Sequence, residues 1–144
     1  MRELPNGLKV FNGTPHELLF WDPLWDEPIQ VEPDATVSAR PVERHLAQWL
    51  CPRCGGWGRH LLACPDPEGE VVRFVETGFV PREDAELIID KAFRSGADVI
   101  VGSIISARIY PGKVCAPVPV PGYERAEPGE KRFRPDLFVV FTKD

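Results

Sequence analysis

The stretch PREDAELIIDKAFRSGADVIVGS, residues 81–103, decides the fold class. Ala85, Ile88, Ile89, Ala92 and Phe93 recur at helical spacing, acidic residues gather at the start, and Lys91 and Arg94 lie near the end. With Gly96 as the C-cap, this predicts an amphipathic helix of about three turns. Its apolar stripe needs a sheet or a second helix to cover it. Val99, Ile100 and Val101 follow at once as a buried strand. Beyond Gly102 two readings are open: Ile104, Ile105 and Ile109 continue the strand past a kink, or a short helix starts after Ser103. Helix followed by strand is half of a βαβ unit, but one helix does not establish a doubly wound fold.

Working outward, residues 8–22, LKVFNGTPHELLFWD, read as strand, turn and strand, with Asn12-Gly13 at the turn and Asp22-Pro23 as the stop. PIQVEPDATVSARPVE, residues 28–43, reads as a hairpin turning at Pro33-Asp34, with Ile29 and Val31 on one arm and Val37, Ala39 and Val42 on the other. ERHLAQWL, residues 43–50, predicts about two helical turns with Leu46, Trp49 and Leu50 on one side. EVVRFVETGFV and the closing DLFVVF are strand-like. Sixteen prolines in 144 residues favour many short elements over long helices. The expected architecture is a single α+β domain over 1–144. It holds a mixed or antiparallel sheet, one principal amphipathic helix, and a Gly/Cys-rich loop at 51–64 inserted between sheet elements.

The loop is CPRCGGWGRHLLAC, with Cys51, Cys54, His60 and Cys64 spaced C-x2-C-x5-H-x3-C. Zinc takes about four such ligands in a tetrahedron, and a set filled by protein is closed and structural. The segment resembles the retroviral-type zinc knuckle in length, in its C-x-x-C start and in Gly55, Trp57 and Gly58. It departs at the histidine, which the family places where this chain has Arg59. His45, Cys115 and Asp66 are alternative fourth ligands. The competing reading is reduced thiols around a glycine turn, with Cys64 packed as a small apolar residue. The glycines after Cys54 disfavour the helix that a thioredoxin-like redox pair requires. If the loop binds single-stranded nucleic acid, Trp57 stacks on a base and Arg53 and Arg59 supply local charge.

Charge weighs against nucleic acid. Asp and Glu outnumber Lys and Arg by 22 to 17, so the summed field repels phosphate backbones and anionic membranes. A protein partner is the simpler expectation. Trp21 and Trp25, with Asp22 and Asp26 in FWDPLWDEP, form an aromatic and acidic loop suited to a basic protein surface. Twelve arginines against five lysines, with two Asn and two Gln, suit a GC-rich genome or a hot environment. The opening MRELPNGLKVF lacks a basic run before an apolar segment, and no apolar stretch approaches membrane length; the expectation is a cytoplasmic chain without a membrane partner.

No catalytic residue stands out. His16, beside Thr14 and Glu17, reads either as a base or as a ring satisfied by a local carbonyl; an enzyme would need His16 or His45 joined to an acid from another element. Ser, His and acid do not meet in a nucleophile-elbow context, and GADVIVGS lacks the spacing of a phosphate loop.

LKVFNGTPHELLFWD also resembles the LxxLNLTPHxxxI start of small proteins encoded by bacteriophages and prophages, through Leu8, Phe11, Asn12, Thr14, Pro15, His16 and Glu17. DATVSARPVE, DVIVGSIISA and KVCAPVPVPG with KRF are similar to later segments of that family, while the cysteine loop and the strong helix depart from it. The resemblance implies phage origin and, by class analogy, an accessory or host-takeover protein that binds a host assembly such as RNA polymerase.

Overall fold

In a computed structural model, residues 1–127 and 129–142 are described. The chain is α+β and divides into two compact units, residues 1–40 with 80 onward, and Pro41–Phe79.

The first unit is built on a mixed seven-stranded sheet. Its strands are β1 (Arg2–Glu3), β2 (Lys9–Asn12), β3 (Leu18–Phe20), β4 (Ile29–Val31), β7 (Val99–Val101), β8 (Val114–Pro119) and β9 (Arg132–Val139), in the order β1-β2-β7-β8-β9-β3-β4. β2, β7 and β8 run parallel, with Val10 opposite Val99 and Ile100 opposite Val114; β9 returns antiparallel to β8 and pairs parallel with β3. The sheet curls towards closure: Asn12 Nδ2 on β2 donates to the Val31 carbonyl oxygen on the far edge strand at 3.0 Å. Neighbouring residues on β7 and β8 point to opposite faces, so each strand feeds two cores. Ile100 and Val114 join Val37, Tyr110 and the helix residues Ala85, Ile89 and Ala92 on one side. Val101 and Cys115 join Val10, Leu18, Phe20 and Val31 on the other. This two-sided burial is why β7 reads as an unbroken apolar run.

Helix α1 (Glu83–Arg94) is the predicted amphipathic helix, with Ala85, Ile89 and Ala92 buried. Its end is a Schellman motif: Ala97 N–H bonds the Ala92 carbonyl, Gly96 N–H bonds that of Phe93, and Gly96 takes a φ of 101° that a side chain would resist. At the other end the Arg82 amide donates to the Tyr110 hydroxyl at 2.8 Å, which in turn donates to the Ser38 carbonyl at 2.9 Å.

Of the two readings open beyond Gly102, the short helix forms: α2 (Ile104–Ile109) begins after Ser103, whose hydroxyl accepts the Ser106 amide. Other sequence expectations need correction. β2 and β3 both form but do not pair with each other. The hairpin over 28–43 does not form: β4 pairs with β3, and residues 40–43 begin a strand of the other sheet. Asp34 and Val37 instead donate their amides to the carbonyls of Asn12 and Gly13, and Val37 alone inserts into the core. Residues 43–50 are not helical: they lie in β5 (Arg40–Leu50), paired with β6 (Val72–Val80) as a separate ribbon. A helix of that length is marginal by itself, and the returning β6 satisfies the same backbone by strand pairing.

Candidate metal centre

The ribbon of β5 and β6 carries the cysteine loop between its strands. Tight backbone bonds shape the start of the loop. Cys51 donates to the Gly56 carbonyl at 2.9 Å, Gly55 to that of Cys51 at 2.8 Å, and Gly58 to that of Trp49 at 2.7 Å. Gly55 and Gly58 sit at φ of 79° and 69°, and a Cβ on Gly56 would lie 2.1 Å from the Arg59 carbonyl oxygen. The glycines that follow Cys54 are therefore required by this turn.

Within it, one ligand atom from each of Cys51, Cys54, His60 and Cys64 lies within 4.8 Å of every other. The Cys51 and Cys64 sulfurs are 3.7 Å apart, and the Cys64 sulfur is 3.5 Å from His60 Nδ1. Tetrahedral zinc, with bonds of about 2.3 Å to sulfur and about 2.0 Å to nitrogen, sets such separations at roughly 3.8 and 3.5 Å. A disulfide would hold the sulfurs at about 2.05 Å, so these are thiols at ligand spacing. The chemistry and the separations both fit a metal ion. The Leu61 amide donates to the Cys54 sulfur at 3.3 Å and brings that thiol down to about 6, towards the thiolate that a metal requires. Desolvation pushes Cys64 the other way. The Trp49 ring packs against the His60 imidazole, centroids 5.0 Å apart, and steers it.

The displaced histidine thus still reaches the cluster. The alternative ligands stand elsewhere: Cys115 is buried in the sheet core, where its thiol, pushed up to about 12 by burial, faces the Ile100 carbonyl, and His45 and Asp66 are outside the cluster.

Trp57 stacks on Phe74 of β6, centroids 5.3 Å apart and planes 20° from parallel, and remains 56% exposed. Arg53 and Arg59 are exposed on the same loop. Phe74 was the part of this arrangement that sequence reasoning missed; the alternation of Val72, Phe74 and Glu76 carries the signal, since it places Phe74 on one face of the strand. The Trp21–Asp26 turn is different. Both tryptophan rings are half-buried, the Trp21 indole donates to the Trp25 carbonyl at 3.2 Å, and the Arg132 guanidinium sits 4.9 Å from the Trp21 ring. Asp22 accepts the Leu24 amide at 2.9 Å while Asp26 is exposed, and the outermost apolar group is Leu24, 92% exposed.

The NGTPH motif has a structural explanation. Asn12 is fully buried, donates to the carbonyls of His16 and Val31, and accepts from the Thr14 amide and hydroxyl. It is the carbonyl of His16, not its ring, that the turn engages.

Among the described residues, no helix is long and apolar enough to cross a membrane. Comparison with protein-family models, with curated proteins and with solved structures gives no match to the chain.

Proposed function

We propose that the chain is a binding protein whose Cys51–Cys64 loop holds one structural zinc ion and presents Trp57 to single-stranded nucleic acid. The observation that carries this is the convergence of three thiols and one imidazole at tetrahedral separations. Four protein ligands would leave zinc no open position, so the ion would shape the loop without taking part in chemistry. Trp57, backed by Phe74 and flanked by Arg53 and Arg59, then offers a stacking platform with local positive charge. The test is elemental analysis joined to titration with short single strands. One zinc per chain, together with Trp57 quenching that weakens steeply with salt, is expected. Zinc-free protein that keeps the ribbon folded, or strands that bind equally well to Trp57→Ala, would refute it.

A second reading is an accessory protein of phage origin that binds a host assembly, RNA polymerase among them. What favours a protein partner is exposed apolar surface: Leu61 and Leu62 on the cysteine loop, and Leu24 between Trp21 and Trp25. Co-purification of a host complex that is lost in Leu24→Asp or Leu62→Asp, and insensitive to nuclease, selects this reading.

A further inference from the structure

We propose that the cleft at the carboxyl ends of β2 and β7 is a ribonucleotide site. The cleft encloses about 640 Å³, within the usual range for small-ligand pockets, and no residue of the cysteine loop lines it. It lies outside the carboxyl ends of two adjacent parallel strands, the position at which open α/β sheets receive ligands.

Its surfaces differ in a way that matches the three parts of a nucleotide. Ile104, Pro117 and Phe133, over a buried floor of Leu18, Val37 and Ala116, make an apolar lining suited to a base. Glu17 stands at the rim, exposed, as an acceptor for ribose hydroxyls. Lys131 lines the cleft half-buried, and among the described residues neither it nor Glu17 has an ion-pair partner. A half-buried ammonium that no carboxylate pairs favours an anion, and the phosphate is the anionic part of the ligand. A purely apolar ligand would leave both charges unused; free phosphate would leave the apolar lining wet.

The walls are fixed before any ligand arrives. The Gly13 amide donates to the Val101 carbonyl and the Val37 amide to that of Gly13, each at 2.8 Å, while the Ser106 hydroxyl donates to the Val37 carbonyl at 2.8 Å. Asn12 locks the Thr14–His16 turn from beneath. Binding here would cost little ordering.

The experiment is amide-resolved NMR titration of the full chain, as purified, with the four ribonucleoside 5′-monophosphates, the matching nucleosides and inorganic phosphate. At least one nucleotide should shift amides of residues 13–18, 36–38 and 102–104, and its nucleoside should bind about tenfold more weakly for want of one charge-assisted contact. Lys131→Met should weaken the nucleotide about tenfold and leave the nucleoside unchanged. Val139→Trp, at the exposed rim, should block both without entering the core. No shift at millimolar nucleotide, shifts confined to the cysteine loop, or undiminished affinity in Lys131→Met each overturn the assignment. The cysteine-loop reading is tested on other residues and survives any of these results.

Discussion

Among the described residues, every buried apolar side chain except Cys51 belongs to the seven-stranded unit; the ribbon of Pro41–Phe79 holds Cys51 alone. In the first unit, β7 and β8 supply side chains to two cores at once, and α1 closes one of them. In the second, two paired strands leave Leu46, Val72, Val75 and Phe79 exposed. A segment of about forty residues that buries so little, built on a two-stranded ribbon, is not expected to hold its shape in water unaided. The difference teaches where a metal would matter: the first unit buries its apolar side chains, while the second has a Cys3His cluster in place of a core.

The largest effect that follows is the loss of metal. Apparent binding free energies of structural zinc run to about 10–16 kcal/mol, and without a preformed site that energy is folding energy. Chelation, or Cys51→Ser, should therefore abolish amide-exchange protection across β5 and β6 while leaving β2, β7 and α1 protected. Residue-resolved hydrogen exchange checks it. Uniform loss across both units would show that they share one cooperative core, and unchanged protection would show that the ribbon stands without metal.

The reverse experiment is smaller in energy. Ile89 is 1% exposed and packs among Ala85, Ala92, Ile100 and Val114. Ile89→Ala should cost about 2–5 kcal/mol of the first unit's stability in denaturant titration. Zinc content should stay at one per chain. If the metal is lost as well, the two units do not fold by separate means.

The same contrast explains what the sequence could disclose. The helix at 83–94 and the strand at 99–101 were legible because burial imposes a period: Ala85, Ile89 and Ala92 on one face, Val99 to Val101 on both faces of a sheet. The ribbon has no core to impose one. Leu46, Trp49 and Leu50 fall at helical spacing by chance, and only pairing with β6, distant in sequence, decides for strand. Val37 misled for a related reason, since its burial comes from docking on the Asn12–Gly13 turn and not from a hairpin partner. At the candidate metal site, ligand chemistry named Cys51, Cys54, His60 and Cys64 without any fold. Spacing left the histidine in question, because a one-residue slip can be absorbed only by loop geometry such as the Gly55 and Gly58 turns. Lys131 and Glu17 could not have been joined from sequence, as the cleft exists only once β9 lies beside β8 and β3.

An intermediate effect probes the polar counterpart of the core. Asn12→Ala removes four hydrogen bonds at a fully buried position and strands the Val31 carbonyl and the Thr14 amide. Leaving a buried polar group unpaired costs about 1–3 kcal/mol, so the first unit should lose at least that much in denaturant titration. The change should also loosen the Thr14–His16 turn, visible as faster exchange of those amides. A neutral outcome would mean that water replaces the asparagine and that the turn is held by its backbone alone.

The smallest effect is the most discriminating for the ribbon. Arg44 and Glu76 form its cross-strand ion pair, and both side chains are largely exposed. Solvent screening limits such pairs to about 0–1 kcal/mol, so Arg44→Ala should barely move the melting of the zinc-loaded ribbon. Its effect on the metal-free chain should be smaller still, because a ribbon that has already opened has no pair to lose. A destabilisation well above 1 kcal/mol in the loaded protein would make strand pairing, and not the cysteine cluster, the source of order in Pro41–Phe79. The zinc would then be an addition to a ribbon that folds by itself, and the contrast between the two units would reduce to one of size.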